Sequence, residues 1–316
     1  MAVGLVGYDA DMAKSALAIH GGAGTVVKSI MTPELEAEYR SGLEAALTAG
    51  WSVLEGGGAA LDAVQAAVVA LEDFPLFNAG RGSVFTHDGR QEMDASIMDG
   101  SVFRAGSVAQ VKNLKNPILL ARAVMDKTVH VLLAGEGAMK FAAEQAFRLE
   151  PDKYFFTEGR WQQLQDAIAA GRVQLDHSAP KPMGTVGAVA CDAEGRLAAA
   201  TSTGGMTNKK FGRIGDTPVI GSGTYANDLC AVSCTGHGEY FMLAVTAYDV
   251  ASRMKYKDLS LIDAAAEAIA HLTEIGGEGG LIAVDRDGNI TMPFNSEGMY
   301  RGTADRSGTQ ISIYRD

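Results

Sequence analysis

Thr185 lies where a long segment of mixed polarity meets a run of small and β-branched residues, 186–190, that is typical of a buried strand. Gly184 has no Cβ, so the peptide bond it shares with Thr185 can adopt strained angles and be approached closely by a nucleophile. If the Thr185 hydroxyl attacked the Gly184 carbonyl and the ester hydrolysed, Thr185 would become a new amino terminus. Its α-amino group, with a reference pKa of about 7.7 to 8.0, could then accept the hydroxyl proton. The pair is a candidate for self-cleavage, and an ordinary turn before a strand is the alternative.

Two further turns carry hydroxyl groups where a predicted strand runs into glycines. They cover residues 201–205 and 233–238. In that position a threonine hydroxyl and adjacent backbone N–H groups can point into a cleft, which is what an oxyanion hole requires.

Arg213 and Asp216 place a cation and an anion on one short loop. Such a pair suits a zwitterion, because arginine binds a carboxylate at two points and aspartate binds an ammonium group. A surface ion pair is the alternative for these two residues.

The composition excludes some classes of partner. The chain has 316 residues, of which 47% are hydrophobic, so it can bury a substantial core. A formal net charge of -11 argues against nucleic acid and anionic membranes, which need basic patches, and favours a small-molecule substrate. The three cysteines have no CxxC spacing and are expected to be reduced core residues. Because Asp9 and Asp11 lie near the start and no apolar run reaches about 18 residues, we expect a cytoplasmic protein.

The first half of the chain predicts a strand at 15–20, a glycine loop at 21–25 and helices over 32–54 and 59–71. The glycine loop lacks the lysine of a P-loop and the GxGxxG spacing. A protein that binds a nucleotide or an anion through its glycine loops stays open as an alternative.

Residues 71–82 form a predicted loop rich in turn formers, whose backbone carbonyls could bind a hard cation. A hairpin is predicted around residues 87–89, from strands at 83–86 and 91–98. The acids Glu92, Asp94 and Asp99 match no closed ligand set, so they are interpreted as strand and turn residues.

Along the rest of the chain, stretches with the hydrophobic spacing of a helix alternate with stretches typical of a strand. We predict helices at 117–126, 136–149, 239–254 and 260–275, a strand at 129–133, a linker over about 150–184, and hairpins at 185–202 and 281–293. Strands and helices in both halves, with hairpins beside a final pair of helices, predict layers of helix, sheet, sheet and helix.

Several motifs together resemble the plant-type asparaginase family, whose members are isoaspartyl peptidase/L-asparaginases. The resemblance covers most of residues 15–310. It rests on the stretches 20–24, 77–80, 93–100, 184–189, 200–206, 212–216, 225–227 and 235–236, together with Lys209.

The resemblance implies an α/β (α+β) fold, the four-layer αββα sandwich of N-terminal nucleophile hydrolases. It implies autocleavage into residues 1–184 and 185–316, which together form one domain, and a dimer of cleaved αβ protomers. The implied substrates are L-asparagine and β-aspartyl dipeptides, with no cofactor for catalysis.

The resemblance also implies roles for single residues. Thr185 would be the nucleophile, Thr203 would position it, and Thr235 with Gly236 would form the oxyanion hole. The residues implied at the substrate's head group and pocket are Arg213, Asp216, Gly238 and Asn78. In similar bacterial enzymes a structural sodium ion is held by the backbone of the positions that match Leu71, Glu72, Phe74, Phe77, Ala79 and Arg81.

Some positions depart from the family pattern. Thr224 stands where cysteine is commoner, His237 falls within the oxyanion turn, and the leader before Ser15 is longer than usual. The related glycosylasparaginases usually have aspartate before the nucleophile and are secreted or lysosomal, so Gly184 and the missing signal peptide argue against that subgroup. No G-x-S-x-G stretch is present, which disfavours a serine hydrolase of the α/β type.

Overall fold

A computed structural model describes residues 15–171 and 184–315, and both the leader 1–14 and linker residues 172–183 lie outside this range. The described chain has a mixed α/β structure with two sheets. The helices are α1 Pro33–Glu55, α2 Ala60–Asp73, α3 Pro117–Lys127, α4 Gly135–Glu144, α5 Asp152–Phe155, α6 Glu158–Ala169, α7 Gly238–Ala244, α8 Thr246–Lys257 and α9 Leu261–Glu274. The strands are β1 Ala16–Gly24, β2 Met93–Asp99, β3 Arg104–Val111, β4 Leu132–Ala134, β5 Val186–Cys191, β6 Leu197–Thr203, β7 Thr224–Ala226, β8 Cys230–Gly236, β9 Gly279–Asp285, β10 Ile290–Thr291, β11 Gly298–Asp305 and β12 Gly308–Tyr314.

The larger sheet has the strand order β12-β11-β1-β5-β6-β2-β3-β4, and the smaller has the order β10-β9-β8-β7. The neighbours in both sheets are antiparallel except for β3 and β4, which are parallel. β5 therefore lies inside the larger sheet, where Gly187 pairs with His20 on one side and with Thr201 on the other. All six residues of β5 are buried, as expected for a strand covered on both faces.

Helices cover each sheet on one side, and the sheets contact each other on the other side. α1, α2 and α3 pack on the larger sheet, α8 and α9 pack on the smaller sheet, and β1, β5 and β6 contact β8 or β9. Two hydrophobic cores result, one beneath α1 to α3 and one between the sheets and beneath α8 and α9.

The alternation of side chains along the strands decides which residues face the space between the sheets. In β5, Ala188 and Ala190 join the core beneath α1 to α3, whereas Val189 and Cys191 join the core between the sheets. Since side chains alternate with a period of two, Thr185 belongs to the inner face with Val189. The same alternation places His20, Thr201, Thr203 and Asp94 on that face.

Most predicted elements are confirmed within a few residues. The predicted start of α1 is confirmed, because the Thr32 hydroxyl accepts a hydrogen bond from the Leu35 N–H at 3.2 Å and Pro33 is the first helical residue. The described part of the predicted linker contains α5 and α6.

Four predictions of local structure are wrong. The predicted glycine loop 21–25 is no loop over most of its length, because residues 21–24 continue β1 and pair with β11 after a register shift between His20 and Gly22; the name glycine loop is kept for this stretch. The predicted helix 239–254 is two helices, because Val245 adopts a left-handed conformation with φ 49° and ψ 47°. The predicted helix 136–149 ends at Glu144, and Ala146 has φ 58°. Residues 83–86 form no strand, since the Val84 N–H bonds to the Asn78 side chain at 3.0 Å, and β2 pairs with β3 and β6 instead.

No helix in the described ranges is both long enough and apolar enough to cross a membrane.

Asp192, in the turn between β5 and β6, should be a stability determinant. Its buried carboxylate accepts hydrogen bonds from the Ala60 N–H at the start of α2 and from the backbone and side chain of Arg196. We expect Asp192→Ala to lower the free energy of unfolding by about 3 kcal/mol, because buried donors lose a charged acceptor. Denaturant unfolding of both proteins measures the difference.

Asp285 provides a matched control for this prediction. It accepts the same kind of turn hydrogen bonds, from the Asp287 and Asn289 N–H groups, but it is only partly buried and caps no helix. Asp285→Ala should therefore cost about 1 kcal/mol. Equal losses for the two variants would contradict the proposed coupling between the turn and α2.

Candidate active site

Thr185 is held at the entrance to β5 by two hydrogen bonds. Its hydroxyl donates to the Thr203 hydroxyl at 3.1 Å, and its carbonyl oxygen accepts a hydrogen bond from Nδ1 of His20 at 2.9 Å. The residue keeps 9% of its surface exposed, whereas Val186, the next residue, has none. The hydroxyl is thus oriented at the edge of the buried sheet.

Gly184 packs against the glycine loop, backbone against backbone. A Cβ at Gly184 would lie 2.5 Å from the Cα of Gly22, and a Cβ at Gly22, which has φ +118°, would lie 2.5 Å from the Cα of Gly184. Side chains do not fit at either position. The glycine-rich end of β1, for which nucleotide or anion binding stayed open as an alternative, therefore packs against the peptide before Thr185.

Thr203 is supported from behind by Asn78. The Thr203 hydroxyl accepts the Gly205 N–H at 2.9 Å, and Nδ2 of Asn78 donates to the Gly205 carbonyl at 2.7 Å. The Asn78 Oδ1 accepts the Val84 N–H at 3.0 Å, so both ends of this buried side chain bind backbone. This geometry suits support of the Thr203 turn, and the role of Asn78 in substrate binding stays a prediction.

His20 connects the nucleophile candidate to the smaller sheet. Burial lowers the pKa of His20 to about 3, so the ring is neutral at physiological pH. Since a carbonyl can only accept, Nδ1 carries the proton toward Thr185, and Nε2 accepts from the Ser233 hydroxyl at 2.8 Å. This tautomer is thereby fixed by its two partners.

A buried chain of hydroxyl groups continues from Ser233. Thr201 lies 2.7 Å from Ser233, Thr224 lies 2.5 Å from Thr201, and Ser96 lies 2.6 Å from Thr224. Thr224, where cysteine is commoner, is therefore a member of this chain. Sequence reasoning missed His20, Ser233 and Ser96 as a group; strand alternation, which puts His20 and Thr201 on one face, was the available signal.

Thr235 and Gly236 end β8 beside the glycine loop. The fully buried Thr235 hydroxyl accepts the Ala23 N–H at 3.2 Å, and Ala23 follows Gly22, which contacts Gly184. Gly236 has φ +144°, and a Cβ there would lie 2.4 Å from the Glu278 carbonyl oxygen. The predicted oxyanion residues and the predicted cleavage site thus meet through one loop.

Arg213, Asp216 and Gly238 form a second group. A Cβ at Gly238 would lie 2.7 Å from Nη2 of Arg213 and 2.7 Å from Oδ1 of Asp216, so the space over this glycine lies between a cation and an anion. Asp216 is 5% exposed, and its Oδ2 has no hydrogen-bond partner among the described residues. Burial raises the pKa of Asp216 to about 6, although the charge of Arg213 opposes the shift.

The surroundings of Thr185 and Thr203 and the group of Arg213, Asp216 and Gly238 lie close together and share neighbours. Gly238 follows Gly236 closely in the chain, and Asp94, which pairs with Thr203 across β2 and β6, is fully buried. Lys209, also buried, donates to the Glu92 carbonyl at 2.6 Å. Burial raises the pKa of Asp94 and lowers that of Lys209, while the charge of each opposes the shift of the other. Charged groups thus lie behind the Thr203 turn, although in the sequence Lys209 was counted only among the family motifs and Asp94 was interpreted only as a strand or turn residue.

The loop of residues 71–82, predicted to bind a cation, contacts the positively charged side chain of Arg160. Arg160 of α6, which is 4% exposed, donates Nε to the Gly82 carbonyl at 2.7 Å and Nη2 to the Leu76 carbonyl at 3.2 Å. The carbonyls of Leu71, Phe77 and Ala79 accept backbone N–H groups from Phe74, Ala79 and Gly82, and the Arg81 guanidinium lies over the Tyr154 ring.

Glu72 ties this loop to β6. Its Oε1 accepts the Ile118 N–H at 3.0 Å and the Ser202 hydroxyl at 2.6 Å, and Ser202 precedes Thr203. Burial raises the pKa of Glu72 to about 8, so the carboxyl is mostly neutral at pH 7. Over residues 15–171 and 184–315, no cluster of three or more His, Cys, Asp or Glu side chains could hold a metal ion.

Comparison with known proteins is consistent across the chain. Residues 13–313 match the family model described as asparaginase. An isoaspartyl peptidase of Salmonella typhimurium is 51% identical over 314 residues, which cover 96% of this chain and 100% of that protein. An isoaspartyl peptidase of Escherichia coli is 49% identical over 313 residues, 96% of this chain and 98% of that protein. A plant-type L-asparaginase of Pyrococcus abyssi is 45% identical over 302 residues, 90% of this chain and 94% of that protein.

Asp216 should destabilise the fold above its own pKa. Because burial raises that pKa from 3.8 to about 6, ionised Asp216 costs the native state up to about 3 kcal/mol at pH 8. This cost is fully present above about pH 6 and disappears as the pH falls toward 3.8. We therefore expect Asp216→Asn to be more stable than the wild type at pH 8, with the difference shrinking by pH 4, as measured by thermal or denaturant unfolding.

Asp249 is the control for this prediction, since its partly exposed carboxylate is paired with Arg253 at 2.8 Å. Asp249→Asn should not stabilise the protein at any pH. A wild-type protein that is more stable than Asp216→Asn at pH 8 would contradict the assignment of an unpartnered carboxylate at position 216.

Proposed function

Because the chain belongs to the asparaginase family and is an enzyme of the isoaspartyl peptidase/L-asparaginase type, we propose that it hydrolyses β-aspartyl dipeptides and L-asparagine with Thr185 as an N-terminal nucleophile. The observation that carries this proposal is the hydrogen bond between the hydroxyls of Thr185 and Thr203, 3.1 Å long, directly after a glycine packed against Gly22. An oriented hydroxyl next to a peptide bond without flanking side chains suits intramolecular attack.

The nucleophile would be generated by one self-cleavage. The Thr185 oxygen attacks the Gly184 carbonyl carbon, the peptide C–N bond breaks, and the departing nitrogen takes a proton and becomes the free amine of Thr185. Water then hydrolyses the resulting ester, which releases the Gly184 carboxylate and restores the hydroxyl. Chains 1–184 and 185–316 result, and they stay associated through the pairing of β1 with β5 and β11 and of β2 with β6.

Turnover would repeat the same chemistry on a substrate. The Thr185 amine accepts the hydroxyl proton while the oxygen attacks the β-carbonyl of the aspartyl group, and the amine then protonates the leaving ammonia or amino acid. Water hydrolyses the β-aspartyl ester and releases L-aspartate. Thr235 and Gly236 would stabilise the oxyanion, which the contact of Thr235 with the glycine loop at Ala23 supports.

Arg213 and Asp216 would hold the aspartyl head group. The space over Gly238 lies beside both, so a carboxylate on Arg213 and an ammonium group on Asp216 could share it. The ammonium group would approach Oδ1 of Asp216, the oxygen that faces this space, whereas Oδ2 lies next to Gly223.

We also infer the family's larger organisation for this chain. The two sheets with helices beyond each fit the four-layer αββα sandwich of N-terminal nucleophile hydrolases, with residues 1–184 and 185–316 as one domain. A dimer of cleaved protomers agrees with the exposed apolar side chains around the junction of α7 and α8, which include Leu243 and Val245.

A structural sodium ion fits the loop of residues 71–82. Each carbonyl that accepts one N–H group keeps a second lone pair, so the backbone of Leu71, Glu72, Phe74, Phe77, Ala79 and Arg81 could still bind a hard cation. The neutral carboxyl of Glu72 and the buried Arg160 favour a monovalent ion over a divalent one. The ion would stabilise the loop that carries Asn78 and take no part in the chemistry.

Self-cleavage predicts two chains in the purified wild-type protein. From 184 and 132 of 316 residues, the 33.1 kDa chain should yield fragments of about 19 and about 14 kDa. Thr185→Ala should remain near full mass, since it lacks the attacking oxygen, and intact mass spectrometry measures both. A wild-type protein that hydrolyses substrate as a single chain would contradict the mechanism.

Head-group recognition predicts steep discrimination between isomeric dipeptides. The wild-type enzyme should cleave β-Asp-Leu at least about a thousandfold better than α-Asp-Leu in kcat/KM, because the aspartyl residue of the α-linked peptide has no free α-carboxylate for Arg213. Arg213→Ala should lower kcat/KM for β-Asp-Leu by a similar factor and still self-cleave, since cleavage uses no external head group. Equal rates on the two isomers, or unchanged kcat/KM in Arg213→Ala, would remove this assignment.

The sodium proposal predicts a melting temperature that depends on the cation. Replacing sodium by a bulky quaternary ammonium ion at constant ionic strength should lower the melting temperature, because the ion would bind the native state only. An equal melting temperature in the two salts would exclude a filled site.

A further inference from the structure

Arg213 already binds a carboxylate of its own chain. Its Nε donates to Oε1 of Glu239 and its Nη2 donates to Oε2, each at 2.8 Å, which is the two-point geometry of an arginine–carboxylate pair. Glu239 follows Gly238 in the first turn of α7. The reaction described above uses Arg213 and leaves Glu239 without a role.

A guanidinium group has two edges that can each bind a carboxylate, one formed by Nε and Nη2 and the other by Nη1 and Nη2. Glu239 takes the first edge. A Cβ at Gly238 would lie 2.7 Å from Nη2 and from Oδ1 of Asp216, and a Cβ at Gly215 would lie 2.7 Å from Nη1. Glycine backbones therefore lie next to Nη2 and Nη1, with Asp216 beside Gly238, and Nη1 makes no hydrogen bond within the described residues.

We propose that Glu239 is a positioning residue for the aspartyl head group: it binds the Nε edge of Arg213 and so directs the Nη1 edge toward the substrate's carboxylate beside Asp216. This role rests on the proposed function. Glu239 itself touches no reacting atom, and it acts by fixing the plane of the guanidinium group.

The opposite role would make Glu239 a competitor that occupies Arg213 until substrate displaces it. The geometry favours positioning, since Glu239 binds Nε and Nη2 and leaves Nη1 without a hydrogen-bond partner among the described residues. Exposure agrees, because 47% of the Glu239 side chain but only 18% of the Arg213 side chain is exposed, so Glu239 lies on the solvent side of the pair. Although burial opposes it, the hydrogen bonds and charge of Arg213 lower the pKa of Glu239, and His237 with Nε2 at 3.9 Å adds to this effect.

The test is steady-state kinetics of fully processed Glu239→Gln on β-Asp-Leu. The amide keeps the size of the side chain but loses the charge and one of the two acceptor oxygens. We expect KM to rise about tenfold with kcat within about twofold of the wild type, because misorientation of Arg213 weakens binding in the ground and transition states alike. Self-cleavage should proceed at the wild-type rate, and Glu239→Ala should change KM in the same direction.

Two comparisons separate positioning from a general structural effect. In an Arg213→Lys background, Glu239→Gln should change KM by less than about twofold, since an ammonium group has no plane to orient. Glu267→Gln is the matched control. Glu267 of α9 pairs with Arg253 of α8, and the exposed fractions of the two side chains, 46% and 16%, are similar to those of Glu239 and Arg213. Glu267→Gln should leave KM and kcat unchanged.

The outcomes that overturn the proposal are distinct from failure of the proposed function. A lowered KM in Glu239→Gln would make Glu239 a competitor, and an unchanged KM, a loss confined to kcat, or an undiminished effect in the Arg213→Lys background would remove its positioning role. A wild-type enzyme that does not hydrolyse β-Asp-Leu would overturn the function and this role together.

Discussion

The close approach of two glycine backbones fixes the start of β5, and the candidate active site is arranged around it. Gly22 and Gly184 leave no room for a Cβ on either residue, so the peptide before Thr185 packs directly on the glycine loop. Ala23 in that loop donates to Thr235, and His20 just before it donates to the Thr185 carbonyl. The end of β1 therefore sets the position of the nucleophile candidate and of the oxyanion candidate relative to each other.

The same geometry explains why so many polar groups are buried between the sheets. His20, Thr201 and Ser233 would each cost free energy if buried without partners, and they are instead connected in one chain of hydrogen bonds that spans both sheets. Such a chain resists small displacements because a shift at one member breaks two bonds. Asp216 is different, since its buried carboxylate lacks a full set of partners within the described residues. A buried carboxylate that lacks hydrogen-bond partners, next to polar groups that have theirs, indicates where a charged ligand would be stabilised.

The sequence predicted the elements better than the contacts. Hydrophobic periodicity and capping located α1, α2 and the hairpin of β5 and β6, because those signals are local. The break at Val245 was missed and the strand predicted at 83–86 is not formed, since a single left-handed residue and a side-chain bond from Asn78 depend on tertiary neighbours. Thr185, Arg213 and Asp216 stood out from their residue types and spacing, and the family resemblance added their expected roles and that of Thr203, but neither pointed to Glu239 or Arg160. Those partners become visible only when distant segments are brought together in space.

In the proposed self-cleavage, the Thr203 hydroxyl holds the Thr185 hydroxyl for attack on Gly184. The most direct measurement is the rate of self-cleavage of Thr203→Ser and Thr203→Val, followed by mass spectrometry after synthesis, with melting temperatures to confirm folding. Thr203→Ser keeps the hydroxyl and should cleave within about threefold of the wild-type rate, whereas Thr203→Val keeps the shape without the acceptor and should slow cleavage by at least about a hundredfold. A folded Thr203→Val protein that cleaves as fast as the wild type would contradict the account.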